Sequence, residues 1–180
     1  VNPTHDLRIG GDWIAFGSVA SPPNVADLDR GRRVGNKQDF DDLVRLCQSL
    51  DVVHFLSGYP VEPVDIHPSV RHLDAIHSLL TLADKPIHAY SLGRQRNLDA
   101  MEMARIARGI DDATLDREPS IFTVINSSSP LRLDIPMCEA LLAMGRTGQP
   151  VAMTPFTLSG AMSPVTLAGA LVQQHAEALA

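Results

Sequence analysis

Apolar positions along this chain fall into two alternating rhythms. Short β-rich runs occupy Leu7–Ile9, Trp13–Phe16, Val52–Leu56, Pro86–Tyr90, Ile121–Ile125 and Val151–Thr154. Between the later runs, apolar residues recur at spacings of three and four, which places them on one stripe of a helix. The first such stretch carries Phe40, Leu43, Val44, Leu46 and Cys47, and the second Leu73, Ile76, Leu79, Leu80 and Leu82. The third carries Leu98, Met101, Ala104 and Ala107, the fourth Ile135, Cys138, Leu141 and Leu142, and the last Leu167, Leu171 and Val172.

Local signals mark where these elements start and stop. Asn36-x-x-Asp39 reads as a helix start, because an Asn side chain can accept one of the amide protons that a first helical turn leaves unpaired. Ser163-Pro164 reads as an N-cap followed by proline at the first helical position, where no N–H is lost. His67-Pro68 opens the second helix, and the fourth ends near Gly145–Gly148. Gly10-Gly11 suits a tight turn between Ile9 and Trp13, so a β-hairpin is expected at the start.

The resulting order is a hairpin followed by helix and strand in strict alternation. Units of about 30 residues are the size of a βαβ crossover, which implies a parallel sheet with right-handed connections. The later strands are nearly continuous apolar runs, as expected when helices cover both faces. An open doubly wound sheet and an arc of a closed barrel both fit. No GxGxxG follows the first strand and no GxxxxGK[ST] occurs, which weakens the nucleotide-binding versions.

Composition narrows the function classes. At 180 residues the chain suits one domain, and it is short for a closed (β/α)8 barrel of about 250 residues. An apolar fraction of 44% excludes a disordered tail. No apolar run approaches the roughly 18 residues of a membrane helix. Fifteen basic against 21 acidic side chains give a net charge of −6, which argues against nucleic acid as a partner. Cys47 and Cys138 lie far apart without a CxxC, so reduced cysteines in a cytoplasmic protein are expected. No HxxxH or HExxH is present, and no zinc or other metal site is expected.

In either architecture the ligand site lies at the C-terminal ends of the strands. Those positions carry Phe16-Gly17-Ser18, Phe55 to Tyr59, His88 to Ser91, Asn126 to Ser129, and Thr154 to Gly160, a set that is aromatic and hydroxylic with almost no charge. The chain has five Phe, two Tyr and one Trp, and five of these aromatics (Phe16, Phe55, Tyr59, Tyr90 and Phe156) fall at strand ends. Taken singly each Phe reads as a cap on the sheet core; taken together they read as a lined pocket. Aromatic faces with few carboxylates suit a poorly hydrated cation such as a quaternary ammonium group. His88 is the histidine with pocket access, although a lone His on an apolar strand reads first as a satisfied core residue. Ser127–Ser129 has no His/Asp partner that would make it a nucleophile. Its two readings are ligand hydrogen bonding and loop capping. Asp27, Asp29, Arg30, Arg32 and Arg33 in the long Ser18–Gly35 loop read either as a self-paired charge cluster or as a lid with a carboxylate-binding arginine.

The segment Thr154-Pro155-Phe156-Thr157-Leu158-Ser159-Gly160-Ala161-Met162-Ser163-Pro164-Val165-Thr166 is the most distinctive in the chain. With Gly10-Gly11, Asp29-x-Gly31-Arg32-Arg33, and the turn from Ile125-Asn126 to Pro130-Leu131, it resembles the trimethylamine:corrinoid methyltransferase family. That family includes pyrrolysine enzymes and pyrrolysine-lacking relatives that act on glycine betaine and similar amines. The resemblance implies a (β/α)8 TIM barrel, of which residues 1–180 would supply about five βα units behind a β-hairpin, with no internal domain boundary. It implies transfer of a methyl group from a tertiary or quaternary amine to the Co(I) corrinoid of a partner protein, with no cofactor bound directly. A pyrrolysine, where present, would fall beyond Ala180. Phe16, Phe55, His88, Tyr90, Asn126, Ser127, Thr154, Phe156 and Gly160 are the expected substrate-binding residues. An isolated arc leaves two sheet edges unpaired, so self-association is expected. The competing expectation is a non-catalytic segment that binds a methylated amine or a corrinoid protein.

Overall fold

The structure, a computed structural model, describes residues 3–90 and 93–180. Helix α1 (Lys37–Ser49) begins as its sequence requires: the Asn36 side chain accepts the Asp39 N–H at 2.9 Å. Phe40 and Val44, one turn apart, are fully buried. At the other end of α1, the buried Lys85 ammonium donates to the carbonyls of Cys47 at 2.9 Å and Leu50 at 2.8 Å. A cation there meets the negative end of the helix dipole and pairs carbonyls that the helix leaves open.

Helix α2 (Arg71–Leu82) follows a turn at His67–Val70 rather than starting at Pro68. Helix α3 (Arg94–Arg108) ends at Gly109, whose φ of +63° gives the left-handed cap that glycine adopts without a Cβ clash. A short helix α4 (Asp112–Arg117), absent from the sequence expectation, is capped by Asp111. Helices α5 (Ile135–Arg146) and α6 (Leu167–Leu179) are capped by Asp134 and Thr166. The sequence signal at Ser163-Pro164 lies one turn before the true start of α6.

Strands β3 (His88–Ala89), β4 (Phe122–Ile125) and β5 (Val151–Met153) form a parallel sheet in the order β3-β4-β5. Two single parallel bridges continue the pairing outward, Leu56 to Ile87 and Gly17 to Phe55. The core lies between this sheet and α1, α2, α3 and α5, around Phe40, Leu56, Ile76, Leu79, Met101 and Met144. The fold is therefore mixed α/β with a parallel sheet flanked by helices. It shows neither a closed barrel nor five full βα units, because the 16–18 and 54–56 segments meet their neighbours through one bridge each.

The hairpin is in a different place from the one expected. The Leu7–Ile9 and Trp13–Phe16 runs make one antiparallel bridge, Gly10 to Trp13. The hairpin proper is β1 (Asn24–Asp27) with β2 (Gly31–Val34), inside the stretch expected to be a loop. Its turn is closed by Asp27, whose carboxylate accepts the N–H groups of Asp29 and Arg30. No helix among the described residues is long and apolar enough to cross a membrane.

Candidate functional site

The chain leaves the C-terminal end of β4 as Asn126-Ser127-Ser128-Ser129 and reaches a cis peptide between Ser129 and Pro130. It leaves β5 as Thr154, whose N–H donates to the Ile125 carbonyl at 2.8 Å and whose hydroxyl contacts the Asn126 side-chain oxygen. The two exits are therefore stitched together. Farther on, the N–H groups of Ala161, Met162 and Ser163 all point at the Leu158 carbonyl. Gly160 sits in that turn at φ +79°, a value L side chains rarely adopt. The turn brings Met162 back to the β4 exit.

A cavity of about 410 Å³ opens here, lined by Asn126, Ser127, Ser128, Ser129, Phe156 and Met162. Its lining combines hydroxyl and amide side chains with an aromatic ring and a thioether. Ser127 and Ser129, two of its lining residues, are buried. Their hydroxyls donate to Oε2 of Glu177 on α6 at 2.5 and 2.6 Å. Oε1 of Glu177 accepts from the Leu131 N–H at 2.9 Å and from Gln173 at 2.9 Å. Burial alone would raise the Glu177 pKa, but the donors from Ser127, Ser129, Leu131 and Gln173 outweigh it and bring it down to about 2. Gln173 also donates to the Met162 carbonyl at 2.7 Å, so one turn of α6 ties both cavity loops.

The model of the trimethylamine methyltransferase (MTTB) family matches residues 1–180. The chain belongs to this family. It is 35% identical over 179 residues to a glycine betaine methyltransferase of Desulfitobacterium hafniense, covering 99% of this chain and 37% of that protein. It is 28% identical over 179 residues to a trimethylamine methyltransferase of a second D. hafniense strain, covering 99% and 36%. A trimethylamine methyltransferase of Methanosarcina acetivorans is 29% identical over 171 residues, covering 93% and 34%. The chain thus spans little more than a third of the length of these MTTB-family relatives.

Of the residues expected to bind substrate in this MTTB-family chain, the structure brings Asn126, Ser127 and Phe156 to one cavity, with Thr154 bonded to its rim and Gly160 in its turn. The others lie along the adjoining strand ends and are not among its lining residues. Phe55 packs edge-on against Phe122 at 5.4 Å, and Phe16 stacks on His54 at 6.0 Å. Tyr90 stacks on the buried Tyr59 at 4.7 Å. Ser91 falls outside the described residues. His88 uses both ring nitrogens: Nδ1 meets the Ser57 carbonyl at 2.8 Å and Nε2 accepts the Val124 N–H at 3.0 Å. Burial pushes its pKa down, partly countered by the Ser57 bond, and the imidazole is neutral.

Within the basic cluster, Arg30 and Arg33 are paired with carboxylates. Arg33 contacts Asp39 and lies 2.6 Å from Asp27, and Arg30 lies 3.1 Å from Asp27 and 3.3 Å from Asp39. Cys47 and Cys138 are both free thiols. Among the described residues no group of His, Cys, Asp and Glu is arranged to hold a metal ion. The residue that sequence reasoning missed is Glu177, near the end of α6. Its signal was Gln173 and Glu177 spaced i, i+4 on an otherwise apolar helix face.

Proposed function

We propose that this protein is an amine methyltransferase whose cavity at the β4 and β5 exits holds the methylated ammonium group of glycine betaine, trimethylamine or a similar donor. The observation that carries the reading is the cavity itself. Its lining joins hydroxyl and amide side chains with Phe156 and Met162 at the strand ends of a chain belonging to the trimethylamine methyltransferase family. In this reading the chain is an arc of a (β/α)8 barrel, and the outward bridges at Leu56–Ile87 and Gly17–Phe55 support a curved sheet that continues past β3.

The methyl acceptor is the reduced corrinoid of a partner protein, which acts as co-substrate and supplies the nucleophile. The C–N bond breaks with its electron pair retained by nitrogen, and the pair of the new carbon–cobalt bond comes from the corrinoid. A quaternary amine gives up no proton in this step. The chain therefore needs no Ser/His or Cys/His pair. Its residues hold the ammonium, exclude water and orient one methyl group outward. Phe156 offers a ring face to the cation. The Asn126 side-chain amide fixes the polar part of the donor.

The test is methyl transfer by the full-length protein, given glycine betaine or trimethylamine with Co(I) corrinoid. Appearance of the methylated corrinoid spectrum supports the reading. A protein that binds the amine but yields no methylated corrinoid overturns it in favour of a non-catalytic amine-binding role.

A further inference from the structure

Ser127 and Ser129 have one hydroxyl proton each, and both protons are directed at Oε2 of Glu177. A hydroxyl whose proton is taken offers a neighbouring ligand only lone pairs. At these two positions the cavity lining therefore presents acceptors only. Among the described residues, the donors that hold the Glu177 carboxylate (two hydroxyls, one backbone N–H and one amide) are neutral, and no paired cation cancels its charge. Glu177 is 8% exposed, and its charge is screened by protein rather than by water. A full negative charge thus lies one hydroxyl away from two residues that line the cavity.

We propose that Glu177 is a specificity-determining residue of this cavity: acting through the Ser127 and Ser129 hydroxyls, it selects a methylated ligand with a permanently positive nitrogen over one of the same shape in which that nitrogen is replaced by carbon. The inference deepens the proposed function and rests on its assignment of the cavity as the amine site. A quaternary ammonium group has no N–H to donate, so contact with lone pairs backed by a distant carboxylate suits it better than a direct ion pair. The arrangement stabilises its charge without removing a methyl group from reach of the acceptor. Gln173 holds the same carboxylate and the Met162 carbonyl, so the selecting charge and the apolar wall are fixed by one helix turn.

The experiment is calorimetric titration of the full-length protein with glycine betaine and with 3,3-dimethylbutanoate, which keeps the carboxylate and replaces the charged nitrogen by carbon. The ratio of the two affinities reads charge selection and is insensitive to general loosening of the cavity. Wild-type protein is expected to prefer betaine by at least about tenfold. Glu177→Gln is expected to bring the ratio within about threefold, and Glu177→Asp, which keeps the charge, to restore a preference for the cation. The wild-type ratio needs no variant: equal affinity for the two ligands overturns the inference. A folded Glu177→Gln that discriminates as well as wild type also overturns it, and leaves the amine-binding site in place. Charge selection without methyl transfer supports the role of Glu177 while removing the catalytic reading, so the two can fail separately.

Discussion

The Val124 N–H donates to Nε2 of His88 at 3.0 Å, so a side chain of β3 bonds the main chain of β4. The Ser57 carbonyl takes the proton on Nδ1 at 2.8 Å. This fixes one neutral tautomer and ties the 54–57 segment, β3 and β4 through a single ring. Replacing His88 by Phe fills the space but removes both of these part-buried bonds. Their loss costs about 1–3 kcal/mol, to be read as a lower urea midpoint. The pH dependence follows from the direction of the shift. The folded imidazole resists protonation, while the unfolded one binds a proton near 6.5. Below that value the unfolded chain carries more protons, so stability falls as the pH drops through 6.5. The His88→Phe variant is expected to lack this component of the slope.

Phe156 is half-exposed and contributes a cavity wall rather than core packing. Phe156→Ala should leave thermal stability of the full-length protein within its experimental scatter. Loss of one ring face toward a desolvated cation should weaken glycine betaine binding by about 2- to 30-fold. Calorimetry on both forms checks this, and equal affinity would remove Phe156 from the site.

The elements that were legible in the sequence are those whose causes are local. Helix α1 carries its cap at Asn36 and its buried stripe at Phe40 and Val44 within nine residues. The cavity was legible for a related reason: Asn126, Ser127 and Phe156 follow strands recognisable as apolar runs, and strand exits are where ligands sit. The β1–β2 hairpin was not legible, because its strands are four residues long and half-polar, and they are held by contacts from Arg30 and Arg33 to Asp39 on another element. Glu177 was hidden by distance. Its partners Ser127 and Ser129 lie 50 and 48 residues away, and a charge on the last helix reads as solvated until the fold covers it. His88 shows the opposite case, where chemistry suggested by residue type is used up by two main-chain bonds.

Gly17 lies where its segment bridges Phe55. A Cβ built there would fall 2.0 Å from the Ser57 hydroxyl and 2.5 Å from the Phe55 ring. The ring cannot retreat freely, because its other side packs on Phe122 at 5.4 Å. Gly17→Ala is therefore expected to cost about 1–3 kcal/mol as overpacking. Hydrogen exchange should show the loss first at the Ser18 and His54 amides, which pair across this bridge.

Asp39 is 3% exposed and takes contacts from both Arg30 and Arg33. Arg33 is the more enclosed of the two, 21% against 56% exposed, and it also reaches Asp27. Removing Arg33 leaves a buried carboxylate with only the exposed partner, whereas removing Arg30 leaves the enclosed one in place. Arg33→Ala is expected to lower the urea midpoint more than Arg30→Ala does. It should also open the 24–34 hairpin to limited proteolysis, since the pair links that hairpin to α1. Equal effects of the two substitutions would show that the enclosed contact carries no special weight.

Glu177 makes a prediction at acid pH that is independent of any ligand. Its carboxyl titrates at about 2 in the folded chain against 4.5 ordinarily. A depressed folded pKa means that the unfolded chain takes up the proton first as the pH falls. The stability tied to the carboxylate is thus complete above 4.5, declines below it, and is lost by about 2. Asp27, Asp99, Glu102 and Asp111 are also held low and give the whole protein an acid slope. The quantity that isolates Glu177 is therefore the difference between wild type and Glu177→Gln. That difference should be largest near pH 6 and shrink steadily toward pH 3 in urea unfolding, because protonation removes from the wild type what the substitution removed from the variant. A difference that stays constant across this range would mean that the Ser127–Ser129 turn is held by shape alone, with no contribution from the charge of the carboxylate beneath it.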